Sequence, residues 1–262
     1  MKVKTSKSDS RSKWRKLLNF LLIVVILTCV GILAKRGYDY YTTFKNKSKI
    51  ESIVNEAKEE VGTEQVKEDP FKIREKENMQ ILKKFQEVNS DVIGYIEIPN
   101  TYVRYPIMKG IDNDFYLRRD LYKNYDIGGS IFIDANNSPD FSDDNSVIYG
   151  HHLEIEAMFS VLDNYRNQEY AEKNKTIYIT TNEGLRQYEL FGAYGTHPDY
   201  DYRTIKFGNP NDKVPYFKKL KAMSEVELGE KDFSQEDTII TLSTCQYDFE
   251  GQRLALHAVR VR

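Results

Sequence analysis

The sequence predicts a mainly β domain, a barrel or a sandwich, carried behind one apolar N-terminal helix. Three observations lead there. About eight short runs rich in β-branched and aromatic residues alternate with turn clusters over the 170 residues after Val92. Tyrosine is abundant, at 19 residues, which suits strands and aromatic grooves. An eighteen-residue apolar run, Leu17 to Ala34, stands apart near the N-terminus.

The 262 residues suffice for one large domain or two small ones, and a hydrophobic share of 40% suffices for a core. A net charge of −2 gives no basis for nucleic-acid binding, and none is expected as a partner. The charge is unevenly placed. Residues 1–16 carry seven Lys and Arg against Asp9 alone, so the remainder is net acidic. The following run, 17–34, has Asn19 and Thr28 as its clearly polar members. As a helix it would span roughly 27 Å, close to the hydrocarbon thickness of a bilayer. A cleaved signal peptide has a shorter apolar region and a small-residue cleavage site, whereas Lys35, Arg36 and Gly37 follow here. An uncleaved signal-anchor is therefore expected, with the basic arm cytoplasmic and the chain from about residue 35 outside the cell.

Residues 35–70 read as a polar extracytoplasmic stem, although Ile50, Ile53, Val54, Ala57 and Val61 follow helical spacing. Beyond Pro70 a helix is expected, with Ile81, Leu82, Phe85 and Val88 on one face and Asn89-Ser90 as its end. The β-type runs begin with "VIGYIEIP" and "YVRYPIM", continue through "SIFID", "SVIYG", "TIYITT" and "RQYELFGAYG", and close with "TIITLST" and "LALHAVRV". Two stretches break the rhythm as helices. One is Glu154 to Asn174, and the other is Asp212 to Ser224, before the seventh strand.

The cysteines carry chemical information. Cys29 lies in the apolar run, so it cannot pair with Cys245 in an exterior domain. A lone thiol in an oxidising compartment is either buried or used. Cys245 ends one strand and Arg253 opens the next across a seven-residue loop, so in a hairpin the two sit side by side. Arg253 is then either an exposed hairpin residue or a fixed cation beside the thiol, able to donate hydrogen bonds to a developing oxyanion. A thiol nucleophile also needs a proton-transfer partner. His257 shares the face of Arg253 but lies four residues on, roughly 13 Å away. His197 precedes Pro198 in a tyrosine-rich loop and reads as a surface residue. In "SVIYGHH" a glycine ends the strand, and the adjacent imidazoles point to opposite sides. One of His151 and His152 faces a given site, and spacing alone does not say which.

Other chemistries fit poorly. "HHLEIE" lacks the spacing of a zinc helix. "DANNSPDFSDDN" has Pro139 and Asn145 where a calcium loop needs Gly and Glu, and Gly-x-Ser-x-Gly is missing. No metal and no cofactor are expected.

Together "TLSTC", Arg253, "YGHH" and the N-terminal anchor resemble the sortases, cell-wall transpeptidases of Gram-positive bacteria. "IPNTYVRYPIM", "DNDFYLRRD" and "GGSIFID" resemble class B sortases in particular. The resemblance covers about 71–262. It implies an eight-stranded sortase-type β-barrel, with N-terminal helices and a helix in the loop before the seventh strand. It also implies Cys245 as nucleophile, His151 as general acid and Arg253 as oxyanion donor. Asn113, Leu117 and Ser243 match substrate-groove positions, and Tyr202 is expected to join them from the loop between the sixth and seventh strands. Some class B members have an aspartate two residues after the cysteine, where this chain has Tyr247 and then Asp248. The implied substrate is a surface protein with an Asn-Pro-x-Thr sorting signal. The implied acceptor is an amine of a cell-wall precursor or a pilin lysine. The alternative is a membrane-tethered cysteine peptidase, with water as acceptor.

Overall fold

The computed structural model describes residues 7–61, 69–197, 199–245 and 252–262. They form two compact units, 1–42 and 43–262. Helix α1, Lys7–Val61, supplies the first unit and opens the second. In the first, one helical stretch is long and apolar enough to cross a membrane, with a mean hydropathy of 2.9 in its most apolar window. Its Leu, Ile and Val side chains are exposed.

The second unit begins within the expected stem. Ile50, Val54 and Ala57, the positions of helical spacing, are buried in the core of this unit. Helix α2, Pro70–Val88, starts where Asp69 accepts a hydrogen bond from the Phe71 amide and proline takes the first turn. Its Ile81, Leu82 and Phe85 are buried, whereas Val88 at the last turn is exposed. Lys84 of α2 pairs with Glu56 and Glu60 of α1. A buried carboxylate fastens α2 to the first strand: Glu97 accepts from Arg74 at 2.7 Å and from Asn78 at 3.1 Å.

Among the described residues eight strands close a barrel: β1 (Val92–Glu97), β2 (Arg104–Met108), β3 (Ile131–Ile133), β4 (Asn145–Gly150), β5 (Thr176–Thr181), β6 (Gly184–Thr196), β7 (Ile239–Cys245) and β8 (Arg253–Arg260). Their order around it is β1-β2-β3-β4-β7-β8-β6-β5. Pairs β2–β3 and β4–β7 are parallel, and the others are antiparallel. Closure leaves no unpaired sheet edge. Each of the eight expected runs contributes one strand. The expected helix before β7 is present as α4, Lys213–Ala222, whose Phe217 and Leu220 pack with Phe191 and Phe233 in a second apolar cluster.

The helix expected over Glu154–Asn174 is broken. A 3-10 turn, Ser160–Arg166, is followed by α3, Gln168–Lys173. Met158 sits at a φ of 49°, a left-handed conformation that no continuous helix tolerates. Asn167 then caps α3 by accepting from the Tyr170 amide, which restarts the helix instead of continuing it.

His257 lies in the barrel wall, opposite Thr241 and fully buried. Thr241 donates its one hydroxyl proton to Asn145 Oδ1 at 2.8 Å. It therefore accepts at His257 Nδ1, 2.9 Å away, and Nε2 accepts from the Tyr194 hydroxyl at 2.9 Å. A neutral imidazole satisfies this chain, and burial pushes the His257 pKa down to about 3. Its stabilising contribution is complete above the unfolded pKa of 6.5 and is lost as pH falls through the window toward about 3. Between those two values denaturant unfolding should therefore lose about 1.4 kcal/mol per pH unit through this residue. His257→Gln should flatten the pH 6 to 4 slope by that amount. Equal slopes in the two proteins would show that His257 does not carry the effect.

Candidate active site

Strand register builds the site. In the parallel pair β4–β7, Gly150 stands opposite Thr244, so His151 follows β4 at the level of Cys245. In the antiparallel pair β7–β8, Cys245 stands opposite Arg253. Three neighbouring strands thus deliver histidine, cysteine and arginine at one end of the barrel, with about 4.8 Å between adjacent strands. The backbone of Cys245 is described, whereas its side chain, Tyr247 and Asp248 lie outside the described residues.

Gly150 is required by crowding. A Cβ there would lie 2.5 Å from Ile131 Cδ1 and 2.6 Å from Phe159 Cδ2. Beyond it the two imidazoles part. His151 Nε2 donates to the Leu117 carbonyl at 2.7 Å, which leaves Nδ1 as the nitrogen for proton exchange. His152 Nε2 instead meets Asp163 Oδ2 at 2.5 Å and borders a different groove, with Tyr102 and Glu154.

The His151 pKa lies below the ordinary histidine value. Burial is the main cause, and the Arg118 and Arg253 charges add to it. The Leu117 carbonyl and the Asp126 carboxylate act in the opposite direction. The neutral imidazole is therefore the resting form near neutral pH.

A cleft runs past these residues. Asn113, Leu117 and Ser243 line it together with His151 and Arg253. Asn113 is held at both ends: Nδ2 donates to Asp134 Oδ2 at 3.0 Å, and Oδ1 accepts from the Ala135 amide at 2.7 Å. Asp134 also accepts from the Tyr149 hydroxyl at 2.9 Å, so one carboxylate orients two groups of the cleft wall. Ser243 Oγ and Tyr202 Oη are 2.9 Å apart.

Tyr202 itself is fully buried in the second apolar cluster and does not border the cleft. Its hydroxyl reaches Ser243 from the interior. The neighbouring Arg203 lines the cleft instead, with Tyr149 and Phe132. Its guanidinium lies over the Tyr202 ring at 5.1 Å. His197 is exposed, beside Asp199.

A sortase domain model matches residues 96–261. The chain is 36% identical over 180 residues to sortase B of Listeria monocytogenes, covering 67% of this chain and 72% of that one. The chain belongs to the sortase family. Sortase B of Staphylococcus aureus is 29% identical over 230 residues, covering 87% of this chain and 90% of that one. The crystal structure of Clostridium perfringens sortase B superposes with a TM-score of 0.65 at 29% identity, covering 69% of this chain and 99% of that one. This sortase is of the B class, a cysteine transpeptidase on a closed eight-stranded barrel. The family match begins inside β1, so the sortase model leaves α1 and α2 outside it.

Proposed function

We propose that Cys245, His151 and Arg253 form the catalytic centre of a transpeptidase acting on Asn-Pro-x-Thr sorting signals. The observation that carries this reading is the strand register, which sets Cys245 between His151 and Arg253 at one end of the barrel. The Cys245 thiolate attacks the carbonyl carbon of the signal's threonine. The new C–S bond leaves a tetrahedral oxyanion, and Arg253 donates to it. The C–N bond then breaks, and imidazolium His151 gives its proton to the departing amine. An acceptor amine attacks the thioacyl carbonyl, loses its proton to His151, and expels the thiolate.

The depressed His151 pKa has a kinetic meaning here. Neutral imidazole is the majority form of His151, and the imidazolium that the leaving amine needs is a minority of the population. Asn113, Leu117 and Ser243 form the wall along which the signal lies, and Arg203 joins them. The acceptor is an amine of a cell-wall precursor or a pilin lysine. The basic arm 1–16 stays in the cytoplasm, 17–34 crosses the membrane, and the catalytic domain acts outside the cell.

The test is mass spectrometry of products from a sorting-peptide library, with and without oligoglycine, diaminopimelate-containing and lysine amines. The expected product carries the amine on the threonine carboxyl. Cleavage that yields free threonine carboxylate whatever amine is added would identify a peptidase instead.

A further inference from the structure

The buried carboxylate of Asp126 lies outside the three residues of the proposed centre, yet it is connected to two of the molecule's working parts. On one side it accepts from helix α1: the Thr43 hydroxyl donates to Oδ1, and Asn46 Nδ2 donates to Oδ2 at 2.7 Å. The Gly128 amide also donates to Oδ1, at 2.8 Å. All three of these donors are neutral, and Asp126 is 2% exposed.

On the other side, Asp126 belongs to a turn laced to the segment that holds His151. The Asp126 amide donates to the Arg118 carbonyl at 3.1 Å, and the Ser130 amide donates to the Tyr116 carbonyl at 3.0 Å. Arg118 Nη1 returns to the Ile127 carbonyl at 2.8 Å. Leu117, whose carbonyl receives the His151 proton, lies between those contacts.

Two adjacent glycines make this packing possible. A Cβ at Gly128 would lie 2.6 Å from Thr43 Cγ2. At Gly129, where φ is +56°, a Cβ would lie 2.5 Å from the Leu117 carbonyl oxygen. One glycine thus admits the helix, and the next admits the carbonyl that orients the imidazole.

We propose that Asp126 is a positioning residue for His151, clamped by Thr43 and Asn46 of α1 so that the 126–129 turn and its charge hold the Leu117 carbonyl and the imidazole in working geometry. This rests on the reading of His151 as the general acid. It also gives the helix leading into the barrel a catalytic consequence. Among the described residues the charged groups acting on His151 are Arg118, Arg253 and Asp126, and of these Asp126 favours the imidazolium. Loss of its charge should lower the His151 pKa further and thin the reactive population.

The experiment uses the full-length chain in detergent with a fluorogenic Asn-Pro-x-Thr peptide. Asp126→Asn keeps the shape and removes the charge. It should lower kcat by about tenfold or more with KM nearly unchanged, since a support displaced by a fraction of an ångström is felt mainly in the transition state. The acid limb of its pH–rate profile should move to lower pH. The double variant Thr43→Val with Asn46→Leu leaves Asp126 in place and removes its clamp, and it should lower kcat several-fold, about three- to tenfold. It decides the matter if Asp126→Asn does not fold.

Wild-type kcat in the double variant would overturn the proposal. So would an Asp126→Asn profile whose acid limb has not moved, because loss of packing alone lowers activity without shifting it. His151→Ala is the control: if it stays active, the assignment of the acid falls and this inference with it. If it is inactive while Asp126→Asn matches wild type, the inference alone falls.

Discussion

His151→Ala is expected to lower turnover of a sorting peptide by roughly 10³-fold, within the usual contribution of a positioned proton donor, while His152→Ala keeps most of it. The two residues are adjacent and chemically identical, so the difference must come from what each ring meets. His151 lines the cleft and donates a hydrogen bond from Nε2 to the Leu117 carbonyl, which fixes the ring and, in the proposed mechanism, leaves Nδ1 for the leaving amine. His152 is engaged by Asp163 and borders another groove. Removing His152 breaks a partly exposed hydrogen bond to Asp163, worth about 1 kcal/mol, and leaves the His151 support untouched. Peptide cleavage by both variants, with circular dichroism as the folding control, reads the ranking. A His152 variant more impaired than the His151 variant, with both folded, would reverse the assignment.

The barrel was legible because each strand is a short β-branched or aromatic run bounded by turn residues, and local patterning suffices for that. The pairing of Cys245 with Arg253 was legible for a similar reason: a seven-residue loop between two such runs implies a hairpin and its register. The choice between His151 and His152 was not local. It depends on the Leu117 carbonyl, 34 positions away, and on Asp163, 11 positions away, and no spacing within "YGHH" encodes either. Tyr202 and Arg203 show a finer limit. They lie in an irregular loop without the period-two alternation of a strand, so nothing local says which side chain turns inward. Asp126 was invisible for the same physical reason as Leu117, since its partners Thr43 and Asn46 lie 83 and 80 positions upstream. The helical spacing of Ile50, Val54 and Ala57 was visible throughout, but a polar composition favoured reading that segment as a stem.

Arg253→Lys is expected to be nearly as damaging as Arg253→Ala, with both lowering turnover by about 10²-fold or more, the cost of losing an oxyanion donor. Arg253 opens β8, pairs with Cys245 on β7 and with Thr196 on β6, and is half-buried at the cleft. Its backbone is therefore fixed on both sides, and its planar fork can reach an oxyanion and a neighbouring substrate carbonyl together. Lysine keeps the charge but presents a point cation on a flexible stem, which cannot hold two acceptors in one plane. If the residue acted through charge alone, lysine would restore most of the rate. The field on His151 helps separate the two cases. Arg253 depresses the His151 pKa, so losing the charge in Arg253→Ala should let that pKa rise, whereas Arg253→Lys should largely retain the depression. The acid limb of the pH–rate profile should accordingly shift upward in the alanine variant and stay close to wild type in the lysine variant, while both turn over slowly. Stability should change little, because the side chain faces the cleft and not the core. A lysine variant within a few-fold of wild type would remove the geometric role and leave Arg253 as a source of positive potential.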